Sequence, residues 1–296
     1  MIASGDGVPK QDLRWGVRRR LEFIEQRLFW EGRVNRHDLS EAFGISSQQA
    51  SADFARYLEI APANATYDRS AKGYVRGPAF SPTLAEPDAS RYLAHLRLVG
   101  DGVVESPMPG LSFMPEFDVV PGPARRIDAR VLQAVVEAIR DGREIEVSYQ
   151  SMSRPEPERR WIGPHALAWD GFRWHVRSWC PKTVGFRDFV LARMSAPSGT
   201  RRGSGDPGTD KGWHNRVRVI IGPHPGLSEG QRKAVEADYS MTGGVSVIDV
   251  RTCFLWYFLR RFGLDGDAAS RRPQDQHVVL LNRDDVLATF AERQDV

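Results

Sequence analysis

The sequence predicts an α+β fold divided into several domains, and three observations support this prediction. Two short helical patterns followed by two strand patterns fill the first part of the chain, to about Gly77. The stretch Trp161–Met194, called here the aromatic-rich stretch, alternates like strands and combines tryptophan, histidine and arginine. Beyond Gly212, a β-α-β-α-β order predicts a small α+β sandwich with helices on one face.

The first helical pair has the capping pattern of a helix-turn-helix. Asn35 is expected to cap a short helix with Asp38 at its third position, and Gly44 is expected to end that helix. Ser46 is expected to open a second helix, with Gln49 three residues later in a capping-box pattern. Two short helices joined by a tight glycine turn are the signature of a helix-turn-helix.

Residues 65–77, ATYDRSAKGYVRG, predict two strands and a connecting turn, which would form a wing beside these helices. In a DNA-bound helix-turn-helix, the N-terminal residues of the second helix enter the major groove. Glutamine pairs with adenine and serine bonds several bases, whereas arginine and lysine contact phosphates and position the protein. The residues predicted to contact DNA are Ser46, Ser47, Gln48, Gln49, Ser51, Arg56, Arg69 and Lys72.

A second interpretation of the helical pair stays open. The two helices could form a hairpin for protein contacts, with their polar face simply solvated. No arginine or lysine lies in the first two turns of the second helix. This composition lowers the affinity expected from each DNA contact, but it keeps side chains that can recognise base edges in the major groove.

Composition divides the rest of the chain. The region 78–126 is rich in proline and glycine around one helical piece, and it is interpreted as a bridging or dimerisation segment. A helix and a strand then lead into the aromatic-rich stretch. The glycine and serine content after this stretch predicts a flexible linker. The predicted domains are 1–77, 78–126, 127–196, 197–212 (the linker) and 213–296.

Composition also limits the class of protein. The net charge of +3 and the pI near 9.0 permit nucleic-acid binding without proving it. Cys180 and Cys253 lie in no metal-binding spacing, so no metal or cofactor is predicted. No apolar run has the length of a membrane span, and residues 1–16 lack the apolar core of a signal peptide. A cytoplasmic location without membrane contact is therefore expected.

The aromatic-rich stretch has the chemistry of an anion pocket. Arginine forks bind phosphate or carboxylate, and indole and imidazole faces stack on bases or cations. Strand alternation places His175 and Arg177 on one face, where they could hold one anion. In the alternative interpretation, Arg177 or Arg187 forms an ordinary salt bridge with a nearby aspartate. The candidate partners are Asp170 and Asp188.

These motifs together resemble the WYL-domain transcriptional regulators, in particular the winged-helix repressors beside bacterial phage-defence operons of the BREX and CBASS type. The resemblance covers nearly the whole chain and rests on SSQQASADFARY, YDRSAKGY, PHALAWDGFRWHVRSWC and FRDFVLARM. The Trp-Tyr-Leu signature that names the domain is Trp174-His175-Val176 here. The defence-operon branch is similar in having Trp-His-Val or near variants at these positions.

The resemblance implies a homodimer that binds an inverted repeat. It also implies an SH3-like β-barrel as the WYL domain and a C-terminal ferredoxin-like domain that helps dimerisation. In this family the WYL pocket is thought to sense a ligand, often nucleic acid or a nucleotide. The effector-binding residues carried over by the resemblance are Tyr149, Ser151, His165, Trp174, His175, Arg177, Arg187 and Arg193.

Residues and resemblance together predict a homodimeric, sequence-specific repressor of transcription. In this hypothesis a phosphate-bearing effector, held by Arg177 and Arg187, changes the spacing of the two winged helices. One alternative is a single-stranded nucleic-acid binding protein that works through its WYL surface. A second alternative is a nucleotide-processing enzyme, but the chain has no GxSxG, P-loop or HExxH motif, and no catalytic residue is predicted.

Overall fold

The computed structural model describes residues 14–104, 111–123, 125–267 and 270–294. Residues 1–13 lie outside the described residues. The chain divides into two compact units, the first ending at Pro123 and the second beginning at Ala124. Within the described ranges, none of the helices combines the length and the apolar composition that a bilayer crossing requires.

The first unit is a winged helix followed by one further helix. A two-residue strand, β1, was not predicted because it is too short to alternate; it pairs with β3, and β3 also pairs with β2, in antiparallel register. The predicted hairpin is therefore one part of a three-stranded wing. The elements are α1 (Trp15–Glu31), β1 (Arg33–Val34), α2 (Arg36–Phe43), α3 (Ser47–Ile60), β2 (Ala65–Asp68), β3 (Gly73–Arg76) and α4 (Ala89–Gly100).

Helix caps fix the two helices of the turn. The capping box at Asn35 is confirmed, because Asn35 Oδ1 accepts from the Asp38 amide at 3.0 Å and Asp38 Oδ2 accepts from the Asn35 amide at 2.7 Å. Ser46 Oγ accepts from the Gln49 amide at 3.1 Å, as predicted. The Gln49 side chain, however, donates to Asp53 Oδ1 at 3.2 Å. The second capping box is therefore only half formed, since the charged Asp53 carboxylate takes the glutamine amide.

The core of the first unit joins α1 to α3 and the wing. Leu21, Ile24 and Leu28 form the buried stripe of α1 and pack against α3. Phe54 of α3 stacks on Tyr74 of the wing with ring centroids 4.2 Å apart. This contact ties the wing to the helix predicted to read DNA.

The second unit begins with a helix and a five-stranded antiparallel sheet of order β7-β6-β5-β4-β8. The long strand β5 pairs with β4 through its first half and with β6 through its second half. The Tyr149 hydroxyl of β4 accepts from the Val190 amide of β7 at 3.3 Å. These strands are not neighbours in the sheet, so the sheet must be strongly curved to bring them together. The elements are α5 (Ala129–Asp141), β4 (Arg143–Tyr149), β5 (Glu158–Trp169), β6 (Trp174–Cys180), β7 (Gly185–Val190) and β8 (Met194–Arg202).

The outer strands β7 and β8 do not pair with each other in the described residues, so backbone hydrogen bonds do not close this sheet. The SH3-like barrel implied by the resemblance is thus found only as an open, curled sheet. One aromatic contact spans it, since the rings of Tyr149 and Phe189 meet edge to face at 5.0 Å.

The sequence predicted a flexible linker at 197–212, but this segment has regular structure, so that prediction is corrected here. It begins within β8, which pairs with β4, and continues through a 3₁₀ turn at Pro207–Thr209 into a short helix, α6 (Lys211–His214). Its glycines permit close packing: a Cβ at Gly205 would lie 2.3 Å from Trp179 Cγ. Composition alone does not distinguish this use of glycine from flexibility.

The last part of the second unit confirms the predicted β-α-β-α-β order. Its antiparallel sheet has the order β10-β9-β11, with a separate apolar core. A ferredoxin-like β-α-β-β-α-β order has four strands, and the described residues of this region contain three. The terminal helix was not predicted. The elements are β9 (Arg216–Pro223), α7 (Glu229–Asp238), β10 (Ser246–Arg251), α8 (Leu255–Arg261), β11 (Val278–Leu280) and α9 (Arg283–Gln294).

Candidate DNA-binding surface and effector site

The first turn of α3 presents polar side chains, some of which already form hydrogen bonds within the protein and some of which do not. Gln48 and Ser47 are exposed, and their side chains form no hydrogen bond with the described residues. Ser51 Oγ donates to the Ser47 carbonyl at 2.9 Å, and the side chains of Ser46 and Gln49 serve the cap and Asp53. Of the predicted base-contact residues, Gln48 has the longest uncommitted side chain.

The predicted phosphate contacts are available for binding. Arg56 on α3, and Arg69 and Lys72 on the wing turn, are exposed and form no ion pair within the described part of the chain. The wing turn itself is ordered by Asp68, whose Oδ1 accepts from the amides of Ser70 at 2.7 Å and Ala71 at 3.1 Å. Two cations therefore extend from a fixed turn.

Arg36 is a candidate phosphate contact that the sequence reasoning missed. It is the first residue of α2, it is exposed, and its Nη1 donates weakly to Ser51 Oγ at 3.4 Å. The bond places a cation beside the exposed face of α3. A basic residue directly after the Asn35 cap was the available signal, because capping fixes where such a residue emerges.

An ion pair between α1 and α3 holds the helix that carries the predicted DNA contacts in place. Arg20 of α1 binds both carboxylate oxygens of Asp53 on α3, at 2.6 and 3.2 Å. Asp53 is buried, and its Oδ1 also accepts from Gln49. The pair fixes α3 against α1 and orients the first turn of α3.

In the second unit, the Arg177 guanidinium is only 5% exposed and is already bound to carboxylates. Its Nε and Nη2 donate to the two oxygens of Asp210 at 2.7 and 2.8 Å, and its Nη1 donates to Asp188 at 3.1 Å. The salt-bridge alternative is thus what the structure contains for Arg177. Its main partner, Asp210, lies in the segment that composition predicted to be a linker.

The same carboxylate binds a second predicted residue. His165 Nε2 lies 3.0 Å from Asp210 Oδ2. Burial raises the pKa of Asp210, but hydrogen bonds from Arg177 and His165 outweigh this effect and hold that pKa well below its usual range. Burial likewise opposes the charge of Arg177, yet Asp210 and Asp188 raise its pKa above the ordinary value. Both groups therefore remain charged in the interior.

His175 is also held by an internal partner. Its Nε2 lies 2.7 Å from Asp170 Oδ2, and its ring packs on Tyr257 of α8 with centroids 4.9 Å apart. Asp170 Oδ1 accepts from the amides of Phe172 and Arg173, which makes the β5–β6 turn rigid. His175 therefore links the sheet to the C-terminal helix α8.

Arg177 and Arg187 lie on opposite faces of the sheet. Arg177 is directly paired with Asp188, and Arg187 with Ser178, on adjacent strands. Since neighbouring residues of a strand alternate between faces, one phosphate cannot be held by both arginines in this arrangement. The hypothesis of a shared phosphate is therefore wrong for this structure, and Arg187 is an exposed arginine without an ion pair among the described residues.

The remaining predicted effector residues fall into two groups, those that are buried and those that solvent reaches. Tyr149 is buried against Phe189, and Ser151 Oγ is 2.7 Å from Ser153 Oγ. Trp174 is 43% exposed and packs on Trp169, with ring centroids 5.4 Å apart. The predicted residues that solvent reaches are Ser151, Trp174, Arg187 and Arg193.

Family models match three regions of the chain. The model described as BrxR transcriptional regulator winged helix-turn-helix domain matches residues 16–98. The WYL domain model matches residues 130–198. The model described as BrxR transcriptional regulator, C-terminal dimerization domain, matches residues 216–286.

Two solved structures are similar to parts of the chain. The proteasome accessory factor B/C (PafBC) of Arthrobacter aurescens is 20% identical, with a TM-score of 0.25 over 56% of this chain and 27% of that chain. A CRISPR Cas-related protein is 13% identical, with a TM-score of 0.29 over 56% of this chain and 52% of that chain.

Sequence similarity to curated relatives extends over nearly the full length. The DNA-binding transcriptional repressor CapW of Stenotrophomonas maltophilia is 40% identical over 96% of this chain and 95% of its own. The repressors of the same name from Pseudomonas aeruginosa and Escherichia coli are 39% and 35% identical, over 94% and 96% of this chain and 93% and 95% of their own. The winged helix, the WYL domain and the C-terminal domain occur in the same order as the three matched models. The chain therefore belongs to the family of WYL-domain transcriptional regulators that includes the CapW repressors.

Proposed function

We propose that this protein is a homodimeric, sequence-specific DNA-binding repressor of transcription. The observation that supports this most is the combination of a complete winged helix with an exposed, uncommitted Gln48 at the start of α3. The CapW relatives carry the name of DNA-binding transcriptional repressors. As in the resemblance stated above, we expect the controlled operon to be a phage-defence operon and the protein to act in the cytoplasm.

In the proposed complex, α3 enters the major groove and Gln48 pairs with a base edge, adenine being the best match for its amide. Ser47 is the second free side chain in this turn. Arg36, Arg56, Arg69 and Lys72 bind phosphates on either side of the groove and set the register.

The operator is proposed to be an inverted repeat. A two-fold dimer presents two recognition helices, so its half-sites lie about one helical turn, or a multiple of it, apart. The match of residues 216–286 to a C-terminal dimerization domain supports a dimer formed through β9–α9. A change of a few ångströms between the two winged helices would then weaken binding.

We propose that the effector is anionic, either a phosphate-bearing small molecule or a nucleic acid. Its first contacts are the accessible members of the predicted set, with Arg187 as the uncommitted cation and Trp174 as an aromatic face. Ser151 and Arg193 complete this outer group. Tyr149, His175 and Arg177 are buried, and the side chain of His165 is 8% exposed, so these four members lie mostly inside the fold.

The enzyme alternative is not favoured by the environment of the histidines. His165 and His175 are each bound to a carboxylate within the fold, Asp210 and Asp170, and both contacts serve packing between segments. Incubation with candidate nucleotides is expected to return them unchanged. The SH3-like barrel and the ferredoxin-like fold remain proposals for the finer architecture of the two C-terminal regions.

A footprint on the DNA upstream of the chain's own gene tests the proposed function. We expect protection of two half-sites related by a dyad, with centres about one helical turn or a multiple apart. Protection of one half-site only, or none, would contradict a dimeric repressor. In a reporter strain, Arg187→Ala is expected to keep repression and to lose induction on phage infection.

A further inference from the structure

Asp210 joins the WYL sheet to the start of the C-terminal region. It caps α6, since its Oδ1 accepts from the Trp213 amide at 3.2 Å, and it holds Arg177 of β6 and His165 of β5. Helix α6 leads directly into β9, the central strand of the C-terminal sheet. One carboxylate, 1% exposed, therefore connects the two regions of the second unit.

The segment that carries Asp210 buries few side chains. Between residues 203 and 212, Asp210 is the only buried side chain among residues that are all described. Ser204 adds two polar partners, since its amide (2.9 Å) and hydroxyl bind the buried Glu144 and its hydroxyl accepts from Trp179 Nε1 at 3.1 Å. A segment with few buried apolar contacts and a small number of polar anchors has a low free energy of local opening.

Directly after Asp210, the chain packs tightly on the C-terminal region. A Cβ at Gly212 would lie 2.7 Å from Arg177 Nη2, so the backbone passes close over the arginine. The Trp213 ring lies under Arg251 at 4.3 Å and beside Phe254 at 5.6 Å. Any displacement of Asp210 from Arg177 must therefore move Trp213 and its contacts with β10 and the 3₁₀ turn before α8.

We propose that residues 203–214 form a releasable latch, in which Asp210 occupies the Arg177 fork in the place of a second anionic group of the effector, on the face of the sheet opposite to Arg187. This inference rests on the proposed function. While the latch is closed, the C-terminal region is fixed on the WYL sheet and the dimer fits its operator. An anion that takes the Arg177 fork must displace Asp210, which releases the C-terminal region and lowers operator affinity.

The physical basis is competition for one buried fork. Each of the three Arg177 nitrogens donates to a carboxylate, and Asp210 occupies the edge formed by Nε and Nη2, so an anion that binds this edge must compete with Asp210. A phosphate and a carboxylate both match the bidentate geometry of a guanidinium. Only a ligand that binds the released state more tightly than the latched state shifts this equilibrium.

Asp210→Asn tests the latch in the full-length protein without knowledge of the effector. The substitution keeps the size of the side chain and removes the charge that binds Arg177. We expect amide hydrogen exchange of residues 203–214 to increase at least tenfold, and affinity for the operator duplex to fall at least tenfold. The matched control is Asp206→Asn, an exposed aspartate of the same segment whose carboxylate accepts from the Gly208 amide and forms no ion pair among the described residues. The control is expected to change neither quantity.

Two further variants separate the latch from general destabilisation. Asp188→Asn removes the other partner of Arg177 but lies on β7, so the segment should stay protected and operator affinity should remain within threefold. Arg177→Lys keeps the charge and loses the fork, and it should give intermediate opening and intermediate affinity. This variant also answers the question if Asp210→Asn does not fold.

The outcomes are distinguishable. If exchange of 203–214 rises and operator affinity does not change, or if exchange does not rise, the latch is wrong while the repressor function stands. If the wild-type protein shows no preference for its upstream duplex, the proposed function fails independently of the latch.

Discussion

At the scale of single residues, buried carboxylates fix the connecting segments of this protein. Glu25 of α1 is 1% exposed and accepts from the amides of Thr83, Leu84 and Ala85 at 2.8–3.0 Å. Glu31, at the end of α1, accepts in the same way from Ser112. A buried carboxylate that binds several amides is well solvated by the protein itself, and removing it leaves those donors unpaired.

Glu25→Ala is therefore expected to destabilise the winged helix. Without Glu25, three amide donors lose their acceptor, which should lower the free energy of unfolding by at least about 3 kcal/mol. Chemical denaturation followed by circular dichroism measures this change. Glu22→Ala, on the same helix in a surface pair with Arg18, is the control and should cost no more than about 0.5 kcal/mol. Equal effects of the two variants would contradict the role of Glu25.

Asp210 predicts a pH dependence with a definite sign. Its pKa in the folded protein lies below the unfolded value of about 3.9, so its stabilising effect is complete above that pH. The effect is lost as pH falls through the folded pKa. Asp210→Asn should cost about 3 kcal/mol of unfolding free energy at neutral pH.

Urea denaturation at several pH values measures this difference between wild type and variant. The difference should shrink as pH falls below about 4. A difference that stays constant down to pH 2 would show that Asp210 does not act through its ionised carboxylate.

At the scale of elements, α3 and the wing have separate roles in the proposed complex. Gln48 lies at the exposed start of α3, whereas Arg69 lies on the wing turn fixed by Asp68. The stacking of Phe54 on Tyr74 holds these two elements together. A base contact and a phosphate contact on one rigid unit should differ in how sequence and salt affect them.

Gln48→Ala is expected to reduce the preference for the operator over a scrambled duplex by about 1–3 kcal/mol. Arg69→Ala should weaken binding to both duplexes alike and reduce the slope of log affinity against log salt by about 1. Fluorescence anisotropy across a salt series measures both effects. If Gln48→Ala weakened both duplexes equally, Gln48 would be a phosphate contact and not a base contact.

The segment after β8 packs on the WYL sheet at Gly205, where the absence of a side chain allows close contact with Trp179. Gly205→Ala places a Cβ against the Trp179 ring, whose Nε1 is held by Ser204 Oγ at 3.1 Å. The clash is expected to cost about 1–3 kcal/mol and to raise hydrogen exchange in this segment. Gly230→Ala in α7 meets no atom within 4 Å and should leave the melting temperature unchanged or slightly raised. An unchanged exchange rate in Gly205→Ala would mean that the segment does not pack on Trp179.

Sequence patterns predict a helix or strand when the residues that determine its ends lie next to it in the chain. The cap at Asn35 and the glycine that ends α5 lie within a few residues of the helix that they define, so spacing identifies them. The partner of Arg177 lies 33 residues along the chain, in a segment whose composition favours a linker. Only the fold brings Asp210 to that arginine, and only strand register places Arg187 on the opposite face. Sequence alone predicts these residues as candidates but not their grouping.

At the scale of the whole molecule, the chain combines a winged helix-turn-helix domain, a WYL sheet with an internally neutralised arginine, and a C-terminal region that matches a dimerization domain. Both compact units have buried cores of their own. In the proposed mechanism, a change in the second unit alters the affinity of the dimer for two half-sites, which is a coupling between two binding sites.

The most direct test of the central claim is a gel-shift titration at fixed salt with three DNA probes. They are the duplex upstream of the gene, a scrambled duplex of equal length, and one strand of the upstream probe. We expect the protein to bind the upstream duplex at least about 10³-fold more tightly than the scrambled duplex, and more tightly than the single strand. Preference for single-stranded DNA, or equal affinity for the two duplexes, would contradict sequence-specific repression.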